Sequence, residues 1–270
     1  METSNQNSFD YKIVELRDEF LNLSAHIAAK YGVKGTTEKT VVKLLMEHIC
    51  EKFIMERLRS GFWNDNEVDR VWRNLHDYAV ALLVERLKNE LMACGFPISI
   101  LSEAENPTGR YDVLLLVDRK GVQILNSSGN ICLEAKTGLN ISFTQSEKYM
   151  WNGATVMLIR FATGDIIFLR AREWVDFIKL TLIDRIEKAR RILEGKTILV
   201  PGVDCRECPL KECGFNKNRF GKRELTKPRD LAELFENFRR NAYKAIGSAV
   251  KAVVDELSMM LQDEEDEIKE

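Results

Sequence analysis

Between Val41 and Leu58 (VVKLLMEHICEKFIMERL) apolar side chains recur at near-helical spacing, and Gly61 stands where such a helix would stop. One helix carrying Cys50 is predicted there. A second helical pattern, Glu67–Cys94, places Val71, Leu75, Tyr78, Leu82, Val84 and Leu87 on its apolar face, carries His76, and ends at Gly95. From Phe96 the period shortens. Ile98–Leu101, Tyr111–Asp118, Val122–Leu125 and Ile131–Ala135 are short β-rich runs separated by Pro107, Gly109, Gly121 and the polar stretch Asn126–Asn130, which predicts an antiparallel meander. A short helix follows, with Thr144 as N-cap and Glu147 three residues on, ending near Gly153. Two strands, Thr155–Ala162 and Asp165–Arg170, flank a TGD turn. A long helix then runs from about Arg172 to Leu193, and a loop bearing Pro201, Cys205, Cys208, Pro209 and Cys213 separates it from an amphipathic helix over Arg229–Leu261. Asp263–Glu270 reads as a solvated acidic end, and no internal repeat is visible.

Composition narrows the class without naming a function. A chain of 270 residues, 45% hydrophobic and 30% charged, is long enough for one large domain or one domain with appendages. Val113–Val117 and Ala154–Ile159 are far shorter than the roughly 20 residues of a membrane span. Met1–Asp10 lacks the pattern of an export signal, so a cytoplasmic location is expected. In that compartment Cys50, Cys94, Cys132, Cys205, Cys208 and Cys213 are better read as metal ligands or buried thiols than as a disulfide framework. A net charge of −2 gives no global field for nucleic acid and leaves local segregation of charge open.

The chemistry concentrates in Asp112 and the strand Ile131-Cys132-Leu133-Glu134-Ala135-Lys136. Strand side chains alternate, so Glu134 and Lys136 project to one face about 7 Å apart. Asp112 reaches that face if the strand from Tyr111 is the hairpin neighbour. Two carboxylates on a rigid sheet suit Mg²⁺ or Mn²⁺, and the Ala135 carbonyl can add an oxygen ligand. Such an ion acidifies water and neutralises charge on a phosphodiester, while Lys136 can orient or deprotonate the water and offset phosphate charge. The competing reading of Glu134 and Lys136 is a solvated polar strand face.

With these residues assembled, the chain resembles the RecB-like branch of the PD-(D/E)xK nucleases. Gln145-Ser146-Glu147-Lys148-Tyr149 fits that branch's QxxxY motif, with Gln145 and Tyr149 one helical turn apart; the resemblance implies that they position DNA and the site. His76 matches the helix-borne histidine that ligates the metal in this branch, whereas His26 and His48 match nothing. Glu85 and Glu90 are the alternatives for a helix-borne carboxylate. Cys50 before the core and the trio Cys205, Cys208 and Cys213 after it match the CRISPR-associated family that is fourth in the Cas numbering, although the last gap is one residue shorter. The resemblance implies a [4Fe–4S] cluster on these four thiolates. A Cys₄ zinc site remains the alternative, as does Cys94 in place of Cys50. Cys132 reads as a small buried filler.

The expected fold is α/β: a restriction-endonuclease-like core with a mixed central sheet flanked by helices, plus a cluster-bearing helical and loop region. Residues 1–40 form an N-terminal extension, 41–220 the nuclease domain, 229–262 a C-terminal helical extension and 263–270 the acidic tail. The resemblance implies a metal-dependent nuclease on single-stranded DNA, acting 5′ to 3′ with some endonucleolytic cutting. It also implies a role in CRISPR spacer acquisition beside integrase proteins. The other readings are a repair or recombination nuclease, a non-catalytic DNA-binding subunit stabilised by iron–sulfur or zinc, and an electron-transfer protein. Among Trp63, Trp72, Trp151 and Trp174, Trp151 is the candidate for base stacking. The basic run Lys211–Arg223 is either a DNA-contacting edge or a solvated loop.

Overall fold

A computed structural model of the chain describes residues 10–33, 35–61, 67–96, 98–103, 105–106, 109–119, 122–123, 130–137, 143–200, 213 and 228–267. It divides into two compact units, each discontinuous in sequence. The first spans Asp65–Trp174 and Thr226–Glu270, and the second Asp10–Asn64 and Val175–Leu225.

The first unit is α/β. Its elements are α4 (Glu67–Cys94), β1 (Ile98–Ser102), β2 (Glu105–Asn106), β3 (Gly109–Arg110), β4 (Val113–Arg119), β5 (Val122–Gln123), β6 (Ile131–Lys136), α5 (Phe143–Met150), β7 (Thr155–Arg160), β8 (Asp165–Arg170) and α7 (Pro228–Glu267). Five strands form a mixed sheet in the order β1-β4-β6-β7-β8, and β5 pairs with the far end of β4. The meander expected from the sequence holds for β1, β4 and β6, which are antiparallel neighbours. The one parallel pair, β6–β7, is joined through α5, because parallel neighbours need a crossover rather than a hairpin. Ile131, Leu133, Ala135, Met157 and Ile159 turn one sheet face towards Leu83 and Leu87 of α4 and Ile246, Val250 and Val253 of α7 in a single core. Alternation sends Cys132, Glu134 and Lys136 to the other face. Residues 229–262, read from the sequence as an extension, thus lie within a helix that completes this core. The helix continues into the acidic stretch as far as Glu267.

The second unit is helical: α1 (Tyr11–Tyr31), α2 (Glu38–Glu47), α3 (Glu51–Ser60) and α6 (Val175–Leu193). Ile13, Leu16, Phe20, Ser24 and Ile27 line the buried side of α1, and Ile178, Leu182, Ile186, Ala189 and Ile192 that of α6. These two helices form the closest-packed pair. The single helix expected over Val41–Leu58 is two. The chain leaves helical geometry at His48 (φ −118°, ψ 137°) and re-enters after Cys50 (φ −78°, ψ 110°).

The cause of this break is tertiary. Lys188 Nζ on α6 donates to the carbonyls of Leu45 (3.0 Å) and His48 (3.2 Å), and Glu51 N–H donates to Ile198 O (3.2 Å). Backbone groups left open by the interruption are therefore satisfied from α6 and the segment after it, as helix ends require. Burial pushes the Lys188 ammonium below its ordinary range. Among the described residues, no helix is long and apolar enough to cross a membrane.

Candidate active site

The sequence-expected site residues of the first unit meet at one end of the sheet. Asp112 lies one residue before β4 begins, not within the strand as the pattern suggested. The register pairs Val113 with Leu133, so the ladder direction sets Asp112 against Glu134. The Asp112 carboxylate is buried: its Oδ2 accepts Ala135 N–H (2.8 Å) and contacts His76 Nε2 at 3.3 Å. His76 comes from α4, and its Nδ1 faces Asp77 Oδ1 at 3.3 Å. Asp77 was missed in the sequence, where its only signal was adjacency to His76. Its effect is to orient the imidazole, as a second partner of a ligating histidine does.

Glu134 is 1% exposed and belongs to a closed ring of hydrogen bonds. Lys136 Nζ donates to Glu134 Oε1 and, at 3.0 Å, to Gln145 Oε1. Gln145 Nε2 donates to the Tyr149 hydroxyl (2.9 Å), which lies 2.9 Å from Glu134 Oε2. The same hydroxyl is 2.7 Å from the Arg110 carbonyl. A phenol has one proton, so it donates to Glu134 when that carboxylate is ionised and to Arg110 when Glu134 carries its own proton. Gln145 and Tyr149 share a face of α5, which begins at Phe143, so Thr144 lies in its first turn rather than capping it. Tyr111, another residue the sequence did not single out, packs its ring 4.5 Å from that of Tyr149.

Electrostatics follow from this packing. The hydrogen bond and the charge of Asp112 push His76 up to about 9 against the opposing effect of burial. Burial, then the Asp112 charge, push Glu134 up to about 7, with Lys136 and Tyr149 pulling the other way. Tyr149 and Cys132 are both driven above their ordinary values by burial first and by Glu134 second. Asp112 and Glu134 place carboxylate oxygens beside the His76 imidazole, whose nitrogen can serve a cation only after it loses its proton. Among the described residues, no three His, Cys, Asp or Glu side chains are gathered at metal-holding distances.

Protein-family models, curated proteins and solved structures give no match to this chain.

Other candidates fall elsewhere. Glu85 and Glu90 are exposed, the nearer about 13 Å along the α4 axis from His76, and neither joins the ring. Trp151, the sequence candidate for stacking, is 0% exposed and so is a core residue that no base can reach. Cys132 is fully buried, as expected of a filler. Cys94 is exposed at the end of α4 in the first unit, whereas Cys50 and Cys213 belong to the second. Cys50 is buried at the N-cap of α3, a helix end whose backbone N–H groups favour anionic ligands. Glu51 holds Ile198, on the approach to the cysteine loop, through Ile198 N–H to its carboxylate at 2.8 Å. Cys213 is partly buried. Cys205, Cys208 and the rest of the basic run 211–223 lie outside the described residues, as do Trp63 and the side chain of Trp72. His26 is exposed on α1, and His48 packs against Phe53, centroids 4.6 Å apart.

Proposed function

We propose that the chain is a Mg²⁺- or Mn²⁺-dependent DNA nuclease of the RecB-like PD-(D/E)xK class. The observation that carries this reading is the closed Lys136–Gln145–Tyr149–Glu134 ring beside the Asp112–His76 pair. Solvated polar residues on a strand face have no reason to be buried, mutually satisfied and joined to a second carboxylate.

His76, Asp112, Glu134 and the Ala135 carbonyl would hold the ion. When bound, it supplies an acidified water and charge neutralisation at the phosphate. His76 has to give up its proton to ligate, and Glu134 has to be ionised. Lys136, released from Glu134 Oε1, hydrogen-bonds the attacking water and offsets charge on the phosphate oxygens. The water oxygen bonds to phosphorus as the bond to the leaving sugar oxygen breaks; the water gives up a proton to solvent and the sugar oxygen takes one from solvent to leave as a hydroxyl. Gln145 and Tyr149 keep Lys136 and Glu134 in register.

The cysteine set is read as a [4Fe–4S] site with Cys50 as one ligand and Cys205, Cys208 and Cys213 as the others. Support comes from the burial of Cys50 at a helix N-terminus and from the backbone hydrogen bond that ties its neighbour Glu51 to Ile198. Single-stranded DNA in the trimming step of spacer acquisition is the substrate this reading favours, with integrase proteins as partners.

The deciding experiment incubates the purified full chain with single-stranded DNA and Mn²⁺ or Mg²⁺, with and without a chelator. Cleavage should need the metal and should fall by about 10³-fold or more in Asp112→Asn and Glu134→Gln, which keep size and lose charge. Wild-type-like cutting by either variant, with contaminating nuclease excluded, sinks the assignment.

A further inference from the structure

Arg110 stands two residues before Asp112, so no more than about 7 Å of backbone separates the two Cα atoms. Its main chain is built into the site, because its carbonyl faces the Tyr149 hydroxyl at 2.7 Å. Its side chain is not: the guanidinium is 62% exposed, and its charge is met by Glu103, with Nε 2.6 Å from Oε2. Glu103 is anchored to the same machinery, since its N–H donates to the Asp112 carbonyl at 3.1 Å. It is also the described non-glycine residue with a positive φ, 56°, a conformation uncommon outside glycine and worth a functional explanation.

Two arginine–carboxylate pairs with buried carboxylates set the comparison. Arg170–Glu256 and Arg191–Glu51 each engage a carboxylate that is less than a tenth exposed, through two guanidinium nitrogens, and both join sequence-distant elements. The Arg110–Glu103 pair joins neighbours across a short hairpin and leaves both side chains wet. Exposed pairs of this kind contribute little to stability, so this one is not needed to hold the fold. Exchange is cheap. A guanidinium fork matches two phosphate oxygens as well as it matches a carboxylate.

We propose that Arg110 is a phosphate-binding residue of the site, held by Glu103 in the DNA-free protein and transferred to a backbone phosphate beside the scissile bond when DNA arrives. This rests on the nuclease reading above. Glu103 then acts as a stand-in for phosphate: it keeps the guanidinium at the rim and competes with the ligand that replaces it.

The test is binding of a labelled single-stranded oligonucleotide to the full chain by fluorescence anisotropy, with Ca²⁺ in place of Mg²⁺ to prevent cutting, at several salt concentrations. Arg110→Ala should weaken binding about five-fold and flatten the log Kd against log salt slope by ~0.7, the loss of one phosphate contact. Glu103→Gln should act in the opposite direction, tightening binding about two-fold. Arg110→Lys should recover most of the salt slope and part of the affinity. If wild type binds and both Arg110→Ala and Glu103→Gln match it in affinity and slope, the Arg110 assignment falls and the nuclease reading stands. If wild type binds no DNA, both fall.

Discussion

Glu134 and His76 hold protons in the folded, metal-free protein at pH values where the free side chains would have lost them, up to about 7 and about 9 respectively. Both folded values are raised, so each group contributes stability that is present in acid and is lost as pH rises through its folded value. The metal-free protein is therefore expected to lose stability between about pH 5 and about pH 9, through Glu134 first and His76 second. Melting temperatures of metal-free wild type across this window check it, and Glu134→Gln should flatten the acidic half; a flat wild-type profile contradicts the assignment. The same protons compete with the cation, so the Mn²⁺ concentration that half-saturates the site should fall as pH rises over that range. The ring makes a separate prediction. Gln145→Ala and Tyr149→Phe leave the ligands in place and loosen Lys136 and Glu134, so turnover should drop about 10- to 100-fold, with about 1–3 kcal/mol lost in stability where a buried partner is orphaned. Unchanged turnover in both would mean that the ring only holds the fold. That Glu134 and Lys136 share a strand face and Gln145 and Tyr149 a helical turn was legible in the sequence because strand parity and helical spacing are local rules, whereas the place of Asp112 opposite Glu134 depended on which strand pairs with β6. Asp77, Tyr111 and Arg110 were not legible, because their roles depend on which chain segments the sheet brings alongside.

At the scale of elements, the interruption at His48–Cys50 is what the sequence concealed. Apolar spacing through Val41–Leu58 continues across the break without a Pro or Gly, and only Lys188 and Ile198, remote in sequence, mark it. Helix α1 went unassigned although Ile13, Leu16, Phe20 and Ile27 are spaced for it, since Ser24 interrupts the stripe and polar residues surround it. Strands β1, β4, β6, β7 and β8 were readable to within a residue or two, as short runs bounded by turn residues usually are. Glu51 should be sensitive: it is buried, and its Oε1 receives two nitrogens of Arg191, at 3.0 and 2.7 Å. Arg191→Met removes the cation from that buried carboxylate and leaves it the Ile198 N–H, which should cost about 3 kcal/mol in chemical denaturation, whereas Glu103→Gln at the exposed pair should cost under about 1 kcal/mol. Equal effects would contradict the contrast drawn between the two pairs.

For the whole molecule, the residues proposed to hold the two metal groups fall in different units. The proposed cation donors all lie in Asp65–Trp174, and Cys50 and Cys213 of the proposed cluster lie in Asp10–Asn64 and Val175–Leu225. Anaerobically purified protein should therefore carry iron and acid-labile sulfide that Cys50→Ala or Cys208→Ala removes, with a lower thermal midpoint. Mn²⁺ binding should persist in both variants. Stoichiometric zinc with no iron would replace the cluster with a zinc site and leave the nuclease reading intact. Neither unit is a continuous stretch of chain. Phe238, Ile246, Val250, Val253 and Leu257 of α7 close the core that α4 and the sheet begin. At about 1.5–3 kcal/mol for each buried side chain, their absence would remove an amount comparable to the whole stability of a domain. Since α7 is the last of the described elements to leave the ribosome, a nascent chain holds every proposed catalytic residue well before it can keep them in place. On the proposed nuclease function, DNA cutting would wait until the polypeptide has been extended through this helix, and a product stopped short of residue 228 should be harmless to the genome of the cell that makes it.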